Sequence, residues 1–380
     1  MVHLIKKMPD NSSYVSPEDW LQHFSNLLGP PVTHGPTDES MTSYLSENLH
    51  LVASELDNPI TRAEVIEEIS NLPNNKSTSF DMVSNEILKA GKLIIATPMF
   101  KLFNVILSST LYPTFWKLDI LSPLHKSDEK SEPTNYRGIV VSSCFGKLFN
   151  KILQRRLEKF CKSKNLICDL QGSGKSGSRT SDHLLVVRCL FDKYVKQRGS
   201  HLYTCFVDLK KAFDTVPRTK LFFTLLKEYS IGGNFLKIIQ EIYSKNQIFV
   251  KVSDGLLQPF YTSVGVKQGC VFSPILFNLF INNICNIFDK SCDPVQLNNV
   301  DINCLLWADD LLLISQTPSG LQKSIDKMKY FYDSMGLEVN IKKTKTIIMN
   351  KRARKLDNLY QFKLNGKTIE IVDTQSQRNI

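Results

Sequence analysis

The stretch C-L-L-W-A-D-D-L-L-L-I-S, Cys304–Ser315, sets two adjacent carboxylates, Asp309 and Asp310, inside a run that is otherwise apolar. Short apolar runs with aromatic and branched side chains suit a buried strand or hairpin on either side of the pair. Burying one unpaired carboxylate is costly, and two side by side are costlier. A bound divalent cation is the usual remedy, because hard cations take carboxylate oxygens. Taken alone, the pair reads as readily as a solvated turn between strands, Asp being a common turn residue.

Upstream, H-L-Y-T-C-F-V-D-L (His201–Leu209) is a β-rich stretch that carries a third acid, Asp208, near its end. If this strand pairs with the 304–315 hairpin, Asp208 and Asp309 can share cations despite lying 101 residues apart (309 − 208 = 101). Two divalent ions about 4 Å apart would then clamp the attacking and leaving oxygens of an in-line phosphoryl displacement. Carboxylates suit that task because they hold hard cations and leave coordination positions for phosphate.

Around these acids the pattern alternates between helix and strand. Helical spacing covers Trp20 to Leu28 after Ser16-Pro17-Glu18, and Gly29 to Glu39 reads as a linker. Thr61-Arg62-Ala63-Glu64 is a capping box. Asn85 to Leu107 reads as helix with breaks at Gly91 and Pro98, and Leu118 to Leu124 as a strand. Gly146 to Phe160 is a basic amphipathic helix, Pro217 to Tyr229 another helix, and Gln247 to Val264 a hairpin around Asp254-Gly255. Ser273-Pro274 opens an apolar helix, and a helix from Ser319 ends at Gly336. Ile347 to Met349 is a strand, and a last hairpin turns at Asn365-Gly366. The order lacks βαβ regularity, so the class is α+β with a mostly antiparallel sheet.

The bulk composition agrees with a core-forming protein. Its 380 residues suffice for roughly two or three domains, with 42% hydrophobic and 22% charged residues. A net charge of +10 points to an anionic partner, nucleic acid before membrane. No apolar run approaches the roughly 20 residues that span a bilayer, and no apolar h-region follows Met1–Met8. The nine cysteines are scattered, without a Cys-x-x-Cys pair, and read as reduced thiols of an intracellular protein. G-S-G-K-S (Gly172–Ser176) fails as a phosphate-binding loop, because the glycine required at position 169 is Asp169. K-R-A-R-K (Lys351–Lys355) is a nuclear-targeting candidate.

The resemblance becomes specific once three blocks are set in order: F-V-D-L-K-K-A-F-D-T-V (Phe206–Val216), G-V-K-Q-G-C-V-F-S-P-I-L-F-N-L-F-I-N (Gly265–Asn282) and W-A-D-D (Trp307–Asp310). They resemble the palm motifs of reverse transcriptases from non-LTR (LINE-type) retrotransposons. S-F-D-M-V-S-N-E-I-L-K (Ser79–Lys89) resembles the segment upstream of the fingers, and Pro123–Leu157 and Gln171–Asp182 the two fingers blocks. G-L-E-V-N-I-K-K-T-K (Gly336–Lys345) resembles the block after the acid pair. The resemblance implies right-hand fingers and palm with the thumb largely missing. It divides the chain into an extension with linker (1–78), a helical lead-in (79–104), the reverse transcriptase domain (105–372) and the truncated start of a thumb (373–380).

By resemblance, Asp208 and Asp309 are the metal-binding catalytic pair and Asp310 is a third, supporting acid. The implied ion is Mg²⁺, with Mn²⁺ as the alternative; the implied partners are an RNA template, a DNA primer and dNTPs, with no membrane. Phe213 matches an aromatic gate against the sugar 2′ position. Gln268 and Gly269 match residues that line the incoming nucleotide, and Lys343 a cation on the pyrophosphate side. Lys126 and Arg137 match fingers positions facing triphosphate or template. Lys147, Lys151, Arg155 and Arg156 offer a face to the nucleic-acid backbone, and Asp214 serves a local turn. The family implies nucleus and cytoplasm.

Departures stand beside the matches. Trp307 replaces the usual Tyr or Phe, Q-G-S-G-K (Gln171–Lys175) replaces Q-x-G-F-R, and Gly138 replaces the usual proline after Tyr136-Arg137. Together with the early end, they raise the expectation of a fragment or decayed copy. Two other classes are therefore weighed: a silent remnant that only binds RNA, and an RNA-templated RNA polymerase. Phe213 and Ala308, the latter where Gly-Asp-Asp is usual, speak against the last.

Overall fold

Cys304–Ser315 folds as a hairpin, with strands Cys304–Trp307 and Asp310–Ser315 joined by the two-residue turn Ala308-Asp309. The structure is a computed structural model that describes residues 14–30, 36–50, 53–174, 177–197, 200–350 and 360–372. The basic run Lys351–Lys355, the segment 373–380, part of the expected linker, and Lys175 and Ser176 lie outside the described residues. The chain divides into two compact units, Met1–Lys164 with Phe213–Leu276 and Asn165–Ala212 with Phe277–Ile380. These are discontinuous in sequence and do not follow boundaries at 78 and 104.

The second unit is built on a six-stranded sheet. Its order is Phe362–Leu364, Lys367–Ile371, Lys345–Met349, Leu202–Val207, Asp310–Ser315, Cys304–Trp307. The pairing of Lys345–Met349 with Lys367–Ile371 is parallel and the rest are antiparallel, so this sheet is mostly antiparallel. Leu202–Val207 is central, and four of its residues in a row (Leu202 to Cys205) are buried, the signature of a strand covered on both faces. Helix Pro318–Met335 packs through Leu321, Ile325, Met328 and Tyr332, at helical spacing. Thr317 caps its start, and Gly336, at φ 75°, takes the left-handed conformation that ends it.

The first unit carries a second sheet. Leu118–His125 pairs antiparallel with Tyr136–Val141 and parallel with Gln247–Val252. Helix Pro17–Leu28 lays Trp20, Phe24 and Leu28 on this sheet against Leu121, Tyr136, Val140, Ile248 and Val250. Gly138 permits the approach: a Cβ there would sit 2.7 Å from Leu121 Cδ1 and 3.0 Å from the Phe24 ring. The segment read as an N-terminal extension therefore helps to form this unit's core.

Several elements differ from the sequence reading. Helix Pro36–Asn48 begins inside the expected linker. Helix Gly233–Tyr243 and the hairpin Val295–Leu297/Val300–Ile302 were not foreseen. Pro98 does not break helix Lys92–Ser109; the interruption falls at Gly91, where that helix starts. The helix is 18 residues long with mean hydropathy 1.3, so by length and composition it comes nearer a membrane span than the sequence suggested. Its Ala96, Phe103, Ile106 and Leu107 are nonetheless buried, and it packs on helices Arg62–Ser70 and Gly233–Tyr243.

Candidate active site

Strand register decides how the acids stand. The ladder between these strands ends with Leu311 opposite Val207, and Asp310 and Asp208 are the next residues along each chain. Both acids therefore stand at the same end of the second unit's sheet. Asp309 is the neighbouring turn residue. Asp208 and Asp309 are half-buried and Asp310 is exposed. Ala308, ahead of Asp309, has φ 54°, a left-handed conformation that costs an L-residue about 1–2 kcal/mol and favours glycine in two-residue turns.

The block Gly336–Lys345 is strapped along Asp208. The Asp208 N–H donates to Thr344 Oγ1 (3.3 Å), and the Asp208 carbonyl accepts from the Asn340 N–H (2.8 Å). The Lys210 N–H donates to the Glu338 carbonyl (2.8 Å), and the two side chains form an ion pair. Thr344 is fully buried, while its neighbour Lys343 is exposed. Behind the hairpin, burial raises the Tyr332 hydroxyl well above its usual pKa, and the Cys304 and Cys285 thiols and then Asp309 add to the rise. A neutral phenol therefore stands near Asp309. Replacing Thr344 with Val should lower stability by only about 1 kcal/mol, since one hydrogen bond is lost and the shape kept. It should lower any activity that depends on Asp208 by about tenfold, which steady-state kinetics beside a melting curve would reveal.

The acids are of the kind a hard divalent cation takes, being oxygen donors at one end of one sheet. Among the described residues, no group of three or more His, Cys, Asp or Glu side chains converges as a ready-made ligand cluster.

The first unit gathers a second set. Its Val266 N–H donates to the Phe213 carbonyl and its Gly265 N–H to the Val216 carbonyl, both at 2.8 Å. Gly265 is required there: at φ 80°, its Cβ would lie 2.5 Å from the Asp214 carbonyl oxygen. The Gln268 carbonyl accepts from the Val140 N–H (2.8 Å), while its side-chain amide donates to Asp214 Oδ1 (2.8 Å). Gly269, at φ 101°, lies so close to Val140 that a Cβ would come within 2.8 Å of that carbonyl. Phe213, Asp214, Gln268 and Gly269 are thus brought together, and Asp214, in its turn, also anchors the Gln268 side chain.

Beneath this segment lie two cations, buried Lys267 and half-buried Arg218. The Lys267 ammonium pairs with the fully buried Asp119 at 2.9 Å. Arg218 donates to the carbonyls of Tyr243, Thr262, Val264 and Gly265 and to Thr262 Oγ1, at 2.8–3.0 Å. Burial lowers its pKa to about 10, which leaves it charged at neutral pH. With Asp214 and Gln268, these residues line one cavity of the first unit.

Lys126 and Arg137 are exposed at the open end of the Leu118–His125/Tyr136–Val141 hairpin, where Arg137 is opposite Leu124. The expected basic face of helix Cys144–Ser163 needs correcting. Three of its cations are turned to an acidic helix, Arg62–Ser70. Lys151 pairs with Glu68 (3.3 Å), Arg155 with Glu67 (2.5 Å) and Glu68 (2.7 Å), and Arg156 with both oxygens of Glu64 (2.8 and 2.9 Å). Arg156 also donates to the Asn58 and Pro59 carbonyls. Lys147 is half-buried, and burial lowers its pKa. These residues join helices within the first unit, which is why the charge run does not form a free phosphate-facing stripe.

Sequence reasoning passed over Thr344, Arg218, Lys267 and Asp119. Thr344 carried a signal, being the second residue of the Lys-Thr pair that drew attention to Lys343. The others carried none, because their partners lie far off in the chain.

A family model described as Reverse transcriptase (RNA-dependent DNA polymerase) matches residues 124–369. A Drosophila melanogaster protein named "Probable RNA-directed DNA polymerase from transposon BS" is 25% identical over 86% of the chain and 36% of its own length. "Transposon TX1 uncharacterized 149 kDa protein" of Xenopus laevis is 24% identical over 86% of the chain and 25% of its own length. The Drosophila melanogaster "Retrovirus-related Pol polyprotein from type-2 retrotransposable element R2DM" is 26% identical over 68% of the chain and 24% of its own length. The chain thus spans about a quarter to a third of these relatives.

Proposed function

The chain belongs to the reverse transcriptase family, and from that premise we propose that it is the RNA-directed DNA polymerase core of a non-LTR retrotransposon. The observation that supports the reading is that Asp208 directly follows one strand and Asp309-Asp310 open its neighbour, at the same end of one sheet. We read that sheet as the palm and the Leu118–Val141 hairpin as part of the fingers.

The reaction joins a primer 3′-hydroxyl oxygen to the α-phosphorus of a dNTP. The bond from that phosphorus to the β-bridging oxygen breaks, and pyrophosphate leaves. Divalent ions, which the family uses and which we take to be Mg²⁺ with Mn²⁺ as a substitute, would when bound neutralise charge on the triphosphate and favour the deprotonated primer oxygen. Asp208 and Asp309 would hold them, with Asp310 adding negative charge beside them. Thr344 and Asn340 keep the Asp208 backbone in place. Phe213 would close the 2′ side of the sugar, and Gln268, steadied by Asp214, would line the base-paired nucleotide. Lys343 and, from the fingers, Lys126 and Arg137 would face phosphates.

The test is primer extension on an RNA template with Mg²⁺ or Mn²⁺. No extension in either ion would defeat the reading. Phe213→Val should raise incorporation of ribonucleotides at least about tenfold, because a specific steric exclusion is removed while the carboxylates stay. An RNA polymerase would instead prefer ribonucleotides before any substitution. The reading of a silent RNA-binding remnant draws no support from Lys151, Arg155 and Arg156, which glutamates engage.

A further inference from the structure

Ala308 holds the left-handed turn that presents Asp309, and its N–H has an unusual acceptor. That acceptor is the side-chain Oε1 of Gln171 (3.2 Å), which also takes the Ser173 N–H (3.0 Å). Gln171 is fully buried. The backbone around it is zipped to the same hairpin. The Gly172 N–H donates to the Leu306 carbonyl and the Leu306 N–H to the Leu170 carbonyl, both at 2.9 Å. Gly172 lies flat under Trp307, where a Cβ would meet the indole at 2.7 and 2.8 Å and His183 at 3.0 Å. His183 closes over the indole edge-on, at 5.8 Å between ring centroids. The far end of the segment is tied down too, because Asn278 donates to the Ser173 carbonyl (2.9 Å). All of these residues belong to the second unit.

We infer that Gln171 and Gly172 are positioning residues for the Trp307–Asp310 turn. Gln171 fixes the backbone amide next to Asp309, and Gly172 fixes the seat of the Trp307 ring. An alanine in left-handed conformation relaxes unless its amide is held, and relaxation of Ala308 would swing Asp309 away from Asp208. Gly172 and the enlarged aromatic at 307 fit as a pair, because a Cβ at 172 would run into the indole. Buried side chains that orient ligand-bearing backbone commonly control metal affinity or activity by about 10- to 100-fold. The inference rests on the polymerase reading for its consequence in catalysis, but not for its consequence in ion binding or turn dynamics.

The experiment uses the full chain with Gln171→Met, which keeps shape and removes the acceptor, Gln171→Glu, which keeps an acceptor oxygen, and Gly172→Ala. Mn²⁺ affinity is read by electron paramagnetic resonance, turn protection by amide exchange across residues 305–310, and primer extension by steady-state kinetics. Gln171→Met and Gly172→Ala should weaken Mn²⁺ binding about tenfold or more, speed exchange at the turn, and lower kcat with little change in the KM for dNTP. Gln171→Glu should restore exchange protection and most of the Mn²⁺ affinity. A merely structural role would move the melting temperature and leave the melting-corrected Mn²⁺ affinity alone. Wild-type Mn²⁺ affinity and exchange in Gln171→Met would overturn the inference while leaving the polymerase reading intact. If the unsubstituted protein binds Mn²⁺ but extends no primer, the polymerase reading fails and the same two readouts still decide the role of Gln171.

Discussion

Asp208→Asn and Asp309→Asn are each expected to cut primer extension by about a thousandfold or more, because charge stabilisation at the reacting phosphate is worth several kcal/mol and each 1.4 kcal/mol is tenfold. The folded state should tolerate both changes. Asp208, Asp309 and Asp310 gather like charge at one end of one sheet, and each substitution keeps the shape of the side chain. Removing one charge should therefore change the melting temperature little. Asp310, exposed and paired in register with Trp307, is expected to be less demanding: Asp310→Asn should lose about 10- to 100-fold. Activity and melting must be measured together. A large loss with a large fall in melting temperature would point to misfolding, and extension unaffected by Asp309→Asn would remove that residue from the chemistry.

Residue type and local pattern carried the sequence reading wherever the partner was close in the chain. The hairpin at Cys304–Ser315 was legible because its apolar runs and its turn are contiguous. The capping box at Thr61 and the stop at Gly336 were legible for the same reason, and both are present. Helix Gly233–Tyr243 was hidden by Gly232-Gly233, which reads as a breaker, although Phe235, Leu236, Ile239 and Ile242 keep helical spacing behind it. Pro98 reads as a break, but it leaves the carbonyl four residues earlier, on exposed Ile94, to water, and the helix runs on. At the site, the identity of each acid was visible, whereas its surroundings were not. Asp214 is 54 residues from the Gln268 amide it accepts from, and Arg156 is 92 residues from Glu64. Charge patterning along one helix cannot tell a solvated face from one matched by a distant acidic helix.

Arg218 shows how much of the site rests on such distant pairings. Arg218→Met should destabilise the protein by about 3–5 kcal/mol, because it strips several acceptors of their donors at once. Its guanidinium has five N–H donors, and the structure provides five acceptors, four of them backbone carbonyls of residues 243, 262, 264 and 265. Removing the donors leaves those oxygens buried without partners, and each unsatisfied group costs about 1–3 kcal/mol unless water enters. The first unit contains 228 residues by its stated bounds (164 + 64 = 228), a size at which this loss should lower the melting temperature by roughly 10 °C. Arg218→Lys should recover only part of it, since an ammonium offers three donors from a single point and cannot span carbonyls on two segments. The loss should reach the chemistry as well. Thr262–Gly265 leads directly into Val266–Gly269, so a loosened hold on these carbonyls frees the segment that carries Gln268. In Arg218→Lys, assayed well below its melting temperature, the KM for dNTP should therefore rise more than kcat falls, the opposite of the pattern expected for the carboxylates. Melting within about 2 °C of the unsubstituted protein for Arg218→Met would show that water replaces the guanidinium and that this segment is held by its glycines and backbone bonds alone.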